Sequence, residues 1–79
     1  MKLRALHKGE SATITAVQVQ GSLGHRLREM GFVCGTRVTV EGRAPLRDPV
    51  RLRLKGQVIT LRNNEADHID VRREVNGHD

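Results

Sequence analysis

The stretch VRLRLKGQVITL, Val50 to Leu61, constrains the fold of this chain more than any other. From Val50 to Lys55 apolar and basic residues alternate without a break. Val50, Leu52 and Leu54 therefore share one face of an extended segment, and Arg51, Arg53 and Lys55 the other. That period of two belongs to a strand with one face in a core. Gly56 marks a tight turn, and VITL returns with Ile59 and Leu61 on one face. The remaining segments are read as partners of this hairpin.

Three of them carry a strand signature. SATITAV, Ser11 to Val17, sets Ala12, Ile14 and Ala16 on one side, TRVTVEGRA turns Val38 and Val40 inward, and IDV returns through Ile69 and Val71. Between the first two, SLGHRLREMG changes period: Leu23, Leu27 and Met30 recur at helical spacing. Ser22 is the expected N-cap, and Gly24 costs this helix about 1 kcal/mol relative to alanine. Gly31 falls at C′, where a left-handed conformation carries no Cβ penalty, and Phe32 falls at C″, in contact range of Leu27 at C3. Leu3 and Leu6 cover one end of the core, with a turn at Gly9. APLRDP, Ala44 to Pro49, is a loop stiffened by two prolines. RNNEADH reads as a polar turn or one helical turn, capped by Asn63 or Asn64. The pattern is mainly β: about five short strands with one short helix inserted after the first. Closing them into a small barrel hides the edges an open sheet would expose. Residues 1–75 are expected to form the single domain, and 76–79 a polar tail that frays.

Composition narrows the function. The chain has 79 residues, enough for one domain with a small core. No apolar run approaches the roughly 20 residues of a membrane-spanning helix, and the N-terminus shows no signal-peptide pattern. Cys34, the one cysteine, excludes an intramolecular disulfide, and the default compartment is the cytosol. A net charge of +5 makes nucleic acid or an acidic protein surface conceivable partners. Phe32, the lone aromatic, leaves no platform for stacking bases or gripping proline-rich peptides.

No catalytic constellation emerges. GSLGHR lacks the spacing of a phosphate loop, and no HxxxH or CxxC pair exists. Cys34 follows a helix C-terminus, whose partial negative charge works against a thiolate, so it reads as an inert residue of a turn. Two metal-ligating pairs stand out: His25 with Glu29 at i, i+4 on the helix, and His68 with Asp70 at i, i+2. Each supplies two ligands where a structural zinc site takes four, so solvated surface is the simpler reading and a weakly held transition metal ion the alternative. The row Arg51, Arg53, Lys55 could track phosphates, or be neutralised by an acid such as Glu41 on a neighbouring strand. For protein docking, the candidates are Leu46 with Arg47, held between two prolines, then Met30 and Phe32 at the helix end, then Arg51 and Arg53.

The order of motifs resembles the family of ferrous iron transport protein A, FeoA. The likeness rests on LxxLxxGE (Leu3, Leu6, Gly9, Glu10), LREMGFVCGTRVTV, APLRDPV, the lone Gly56 and LRNNEADHIDV, and runs from about Leu3 to Val71. It implies a small SH3-like barrel in the cytoplasm, accessory to FeoB, the membrane ferrous-iron permease with a GTP-binding domain. It implies no catalytic residues and no required cofactor. In the family pattern a proline often stands at the position of Cys34, which agrees with the turn reading. The same fold ends some iron-dependent repressors, but no helix-turn-helix is found in this sequence. The expectation is a non-enzymatic accessory protein of ferrous iron uptake that docks on the permease at the inner face of the membrane, without inserting. A nucleic-acid-binding basic barrel and a free-standing metal-binding domain are the alternatives; self-association stays open.

Overall fold

The computed structural model describes residues 1–74. The tail expected to fray, 76–79, lies outside them, as does residue 75. Five strands form one antiparallel sheet: β1 (Ser11–Val17), β2 (Arg37–Arg43), β3 (Val50–Leu54), β4 (Gln57–Leu61) and β5 (Ile69–Arg73), in the order β4-β3-β2-β1-β5. Helix α1 (Gly21–Glu29) joins β1 to β2, and a short α2 (Asn63–Ala66) joins β4 to β5. A 3-10 turn, Leu3–Ala5, precedes the sheet. The chain is mainly β, as its alternating segments require.

The β3–β4 hairpin follows its sequence closely. Val50, Leu52 and Leu54 are buried and Arg51 and Arg53 exposed. Lys55 and Gly56 both take positive φ, 51° and 77°, the requirement of a two-residue primed turn. Arg51 lies opposite Thr60 and Arg53 opposite Val58.

Two β-bulges bend the sheet around its core. The register of β1 against β5 shifts between Ile14 and Ala16, and that of β2 against β3 between Val40 and Gly42. Thr15 and Glu41 are the extra residues. A bulge bends its strand and adds local twist, the curvature that wraps one sheet onto its own inner face. The first bulge also breaks the expected alternation: Ala12 and Ile14 are buried, but Ala16 and Val17 are both half-buried. The core runs from Leu3 and Leu6 through Ile14, Leu27, Phe32, Val38, Val40, Leu52 and Leu61 to Ile69 and Val71. The segment beside β5 is tied on at its far side, where the Val71 N–H donates to the Met1 carbonyl at 2.8 Å.

Both helices start differently from expectation. Helix α1 begins at Gly21 with Gln20 as N-cap, so Ser22 lies inside the first turn and caps nothing. The φ of +71° at Gly21 marks the change of direction one residue before Ser22. In α2 the N-cap is Arg62, not Asn63 or Asn64. The Glu65 carboxylate accepts the Arg62 N–H at 2.9 Å, and Asp48, from the β2–β3 loop, accepts the Asn63 N–H at 2.8 Å. A distant aspartate thus does the work expected of a local asparagine. The end of α1 matches its reading: Gly31 has φ +107°, its N–H reaches the Arg28 carbonyl at 3.0 Å, and the Phe32 N–H reaches the Leu27 carbonyl at 3.0 Å. These are the paired bonds of a Schellman ending.

Candidate partner interface

The Ala44–Pro49 loop is a braced projection. The Ala44 N–H donates to the Pro49 carbonyl at 3.0 Å and closes its base, and the Arg47 N–H donates to the Ala44 carbonyl at 2.7 Å and forms its tip. Arg47 takes a left-handed φ of 67°, unusual for a residue with a Cβ. Its carbonyl accepts Asn63 Nδ2 at 2.9 Å. Asp48 anchors the other side on α2. At the top stands Leu46, 89% exposed. A loop folded back as a lid would have buried it.

Arg43 locks this end of the molecule together. Its Nη2 donates to the carbonyls of Arg4 at 2.8 Å and Leu6 at 3.0 Å, and its Nη1 to Asn63 Oδ1 at 3.3 Å. Partial burial, with Arg47 and Arg4 close by, pushes its pKa below the usual arginine range. The side chain spans the N-terminal turn, the end of β2 and α2. Nothing in the sequence marks it; it is the last residue of the bulged strand β2 and reads as one more exposed base.

At the other candidate position, Phe32 is fully buried, so it belongs to the core and not to a docking surface. The Schellman ending turns its ring inward, and burying a side chain of that size stabilises the fold by about 1.5–3 kcal/mol. Met30 is half-buried beside an open cleft of about 510 Å³ that Lys55, Gln57 and Ile59 also line. Val33 is the exposed apolar residue there, at 36%.

The basic row is interrupted. Arg53 Nε bonds the Glu41 carboxylate at 2.7 Å, which holds that carboxyl below its ordinary pKa. Arg51 makes no ion pair among the described residues. The metal-ligating pairs differ from each other. His25 and Glu29 are both exposed on α1. Asp70 is engaged: it accepts Lys2 Nζ at 2.8 Å and Gln18 Nε2 at 3.0 Å, and these bonds lower its pKa. His68 sits just before β5, its carbonyl accepting the Gln18 N–H at 2.6 Å. Among the described residues no group of three or more His, Cys, Asp or Glu is placed to hold a metal ion. Cys34 is exposed in a turn that the Thr36 N–H to Val33 carbonyl bond closes at 3.1 Å, with Gly35 at φ +93° as a type II turn demands.

The strand order, the bulged sheet and the short helix between the last two strands define a small SH3-like domain. The family model of the FeoA domain matches residues 1–73, and the chain belongs to the FeoA family. It is 44% identical over 71 residues to the Fe(2+) transport protein A/Fe(2+) transporter FeoB fusion protein of Porphyromonas gingivalis, covering 90% of this chain and 8% of the fusion. The solution structure of iron(II) transport protein A from Clostridium thermocellum superposes with a TM-score of 0.89 at 41% identity, over 92% of this chain and 45% of that one. The crystal structure of Stenotrophomonas maltophilia FeoA complexed with zinc, described as a prokaryotic SH3 domain protein, gives a TM-score of 0.80 at 31% identity, covering 90% of this chain and 88% of that one. This chain therefore spans a small part of the fusion and under half of the C. thermocellum chain.

Proposed function

We propose that this domain is a non-enzymatic accessory module of ferrous iron uptake that docks on the cytoplasmic part of a FeoB-type transporter. The observation that carries the reading is the P. gingivalis relative, in which the matching segment and a FeoB transporter share one polypeptide. Covalent joining fixes a high effective concentration between two modules, the advantage expected where they work in contact. The use of polar groups supports a non-catalytic role: Glu10, Glu41, Glu65, Asp67, Asp70 and Glu74 are each spent on an ion pair. Leu46 is the contact we assign first, with Arg47 beside it. An apolar side chain on a braced loop pays little ordering entropy on binding. Arg51 and Arg53 on β3, and Met30 beside the cleft at the hairpin end of that strand, are secondary candidates. No helix of the described residues is long and apolar enough to cross a membrane. Recruitment to the inner face through the partner is part of this reading.

The test is Leu46→Asp against the isolated cytoplasmic domain of a FeoB-type transporter. Binding measured by calorimetry should weaken at least about tenfold, the size of effect expected of a central apolar anchor, while the melting temperature stays unchanged. Unchanged affinity with unchanged stability would remove Leu46 from the interface.

A further inference from the structure

We propose that the cleft between Lys8, the end of β2, Arg51 and Thr60 binds a phosphate-bearing small molecule. The cleft has a volume of about 380 Å³ and is walled by Lys8, Gly42, Arg43, Pro49, Arg51 and Thr60. That size lies within the ~300–1,000 Å³ of small-ligand sites. The one carboxylate in its wall, Glu41, is committed to Arg53 at 2.7 Å. Lys8, Arg43 and Arg51 make no ion pair among the described residues. Lys8 and Arg51 thus stand at one opening without an ion pair, near a Glu41 whose hydrogen bond goes to Arg53, and the inward-turned Arg43 adds a third positive charge in the wall.

Each cation has a distinct part. Arg43 is fixed by its bonds to the Arg4 and Leu6 carbonyls and to Asn63, and its buried Nε has no partner. It contributes a stationary charge. Lys8 and Arg51 are exposed and supply free donors, and the exposed Thr60, opposite Arg51 on β4, adds a hydroxyl. A carboxylate would offset one charge of the three. A phosphate monoester carries about −1.5 to −2 at neutral pH and three acceptor oxygens, and a diphosphate carries more. Arginine and lysine together suit that group. A nucleic-acid backbone fits less well, because it needs cations spaced along a track and the outer row of β3 is broken at Arg53.

Inorganic pyrophosphate titrated into the full chain at low ionic strength, followed by backbone amide NMR, tests the assignment. Saturable shifts should centre on Lys8, Gly42, Arg51 and Thr60. Lys8→Ala and Arg51→Ala should each weaken binding about tenfold with an unchanged melting temperature. Arg72→Ala, an equal loss of charge on exposed β5, should leave affinity within about twofold. Sedimentation with phosphatidylglycerol vesicles separates the sources. Retention that pyrophosphate reverses places the phosphate on a lipid headgroup, and pyrophosphate binding without retention places it on a soluble molecule. Shifts that do not saturate, equal competition by acetate, or an Arg72→Ala loss matching that of Arg51→Ala would overturn the site.

Discussion

Gly24 lies inside α1, where alanine would ordinarily gain about 1 kcal/mol of helix propensity. The structure reverses that expectation. Gly24 is buried, and a Cβ there would overlap the Val19 carbonyl oxygen and come within 2.6 Å of Arg28 Nη1. Arg28 Nη2 already donates to the same carbonyl at 3.1 Å. The glycine lets the helix lie directly on the connector that leads into it, which no periodicity reveals. Gly24→Ala should therefore destabilise the domain by about 1–3 kcal/mol, the range for overpacking a tight site, read as a lower denaturant midpoint. A raised midpoint would mean that the connector yields. Gly31 is the opposite case. An added Cβ would meet only ordinary contacts, the nearest being Lys55 Cδ at 3.5 Å, but φ is +107°. Gly31→Val should cost more than about 1 kcal/mol through the backbone alone, and equal midpoints for the two proteins would show that this turn can be remade. Gly31 was legible from its place after a helical run; Gly24 was not, because its reason lies in a neighbour met only in three dimensions.

The β2–β3 loop and α2 form one unit, although 13 residues of chain, β3 and β4 among them, separate Pro49 from Asn63. The prolines in APLRDP announced a stiff loop, and the exposure of Leu46 agrees with it. The bracing came from elsewhere: Asp48 caps α2, Asn63 holds the Arg47 carbonyl, and Arg43 reaches across to Asn63. An asparagine before a helical turn suggests a local cap, because local side chain-to-backbone bonds are what spacing can suggest. Asn63→Ala tests the unit. It removes one bond to a backbone carbonyl and one to a guanidinium, while the backbone N–H of residue 63 keeps its bond to Asp48. Stability should fall by about 1–2 kcal/mol. Amide exchange should quicken at Leu46 and Arg47, whereas a uniform change across all strands would mean that the loop is not braced by this side chain.

Across the whole molecule, β1, β2, β3 and β5 are fastened at their margins by ion pairs, most of them between residues far apart in sequence. Lys2 meets Asp70, Arg37 meets Glu74, Arg73 meets Glu10 and Arg53 meets Glu41. Strand identity and most inward faces were readable because alternation is local; the pairings of Lys2, Arg37 and Arg73 were not, because they depend on strand order. Glu41 is the exception, since its pair with Arg53 was among those the sequence suggested. It was a candidate for cross-strand neutralisation, and as the extra residue of a bulge it reaches Arg53, whose direct partner across the ladder is Thr39. The carboxyls of Glu41, Asp70 and Glu74 are held below their ordinary pKa, chiefly by hydrogen bonds from Arg53, from Lys2 and Gln18, and from Arg37 respectively. In the unfolded chain these groups take up protons near pH 4, before the folded ones do. The unfolded state then binds more protons, so their contribution is complete above about pH 5 and is lost as pH falls through the lowered values. All three pairs are partly exposed, so each contribution is small. The melting temperature should hold steady from about pH 8 to pH 5 and decline below about pH 4. Asp70→Asn keeps a side-chain oxygen for Gln18 but removes the charge facing Lys2, so its acid decline should be shallower than that of the parent. Identical declines in the two proteins would show that the Lys2–Asp70 pair contributes nothing to folding stability.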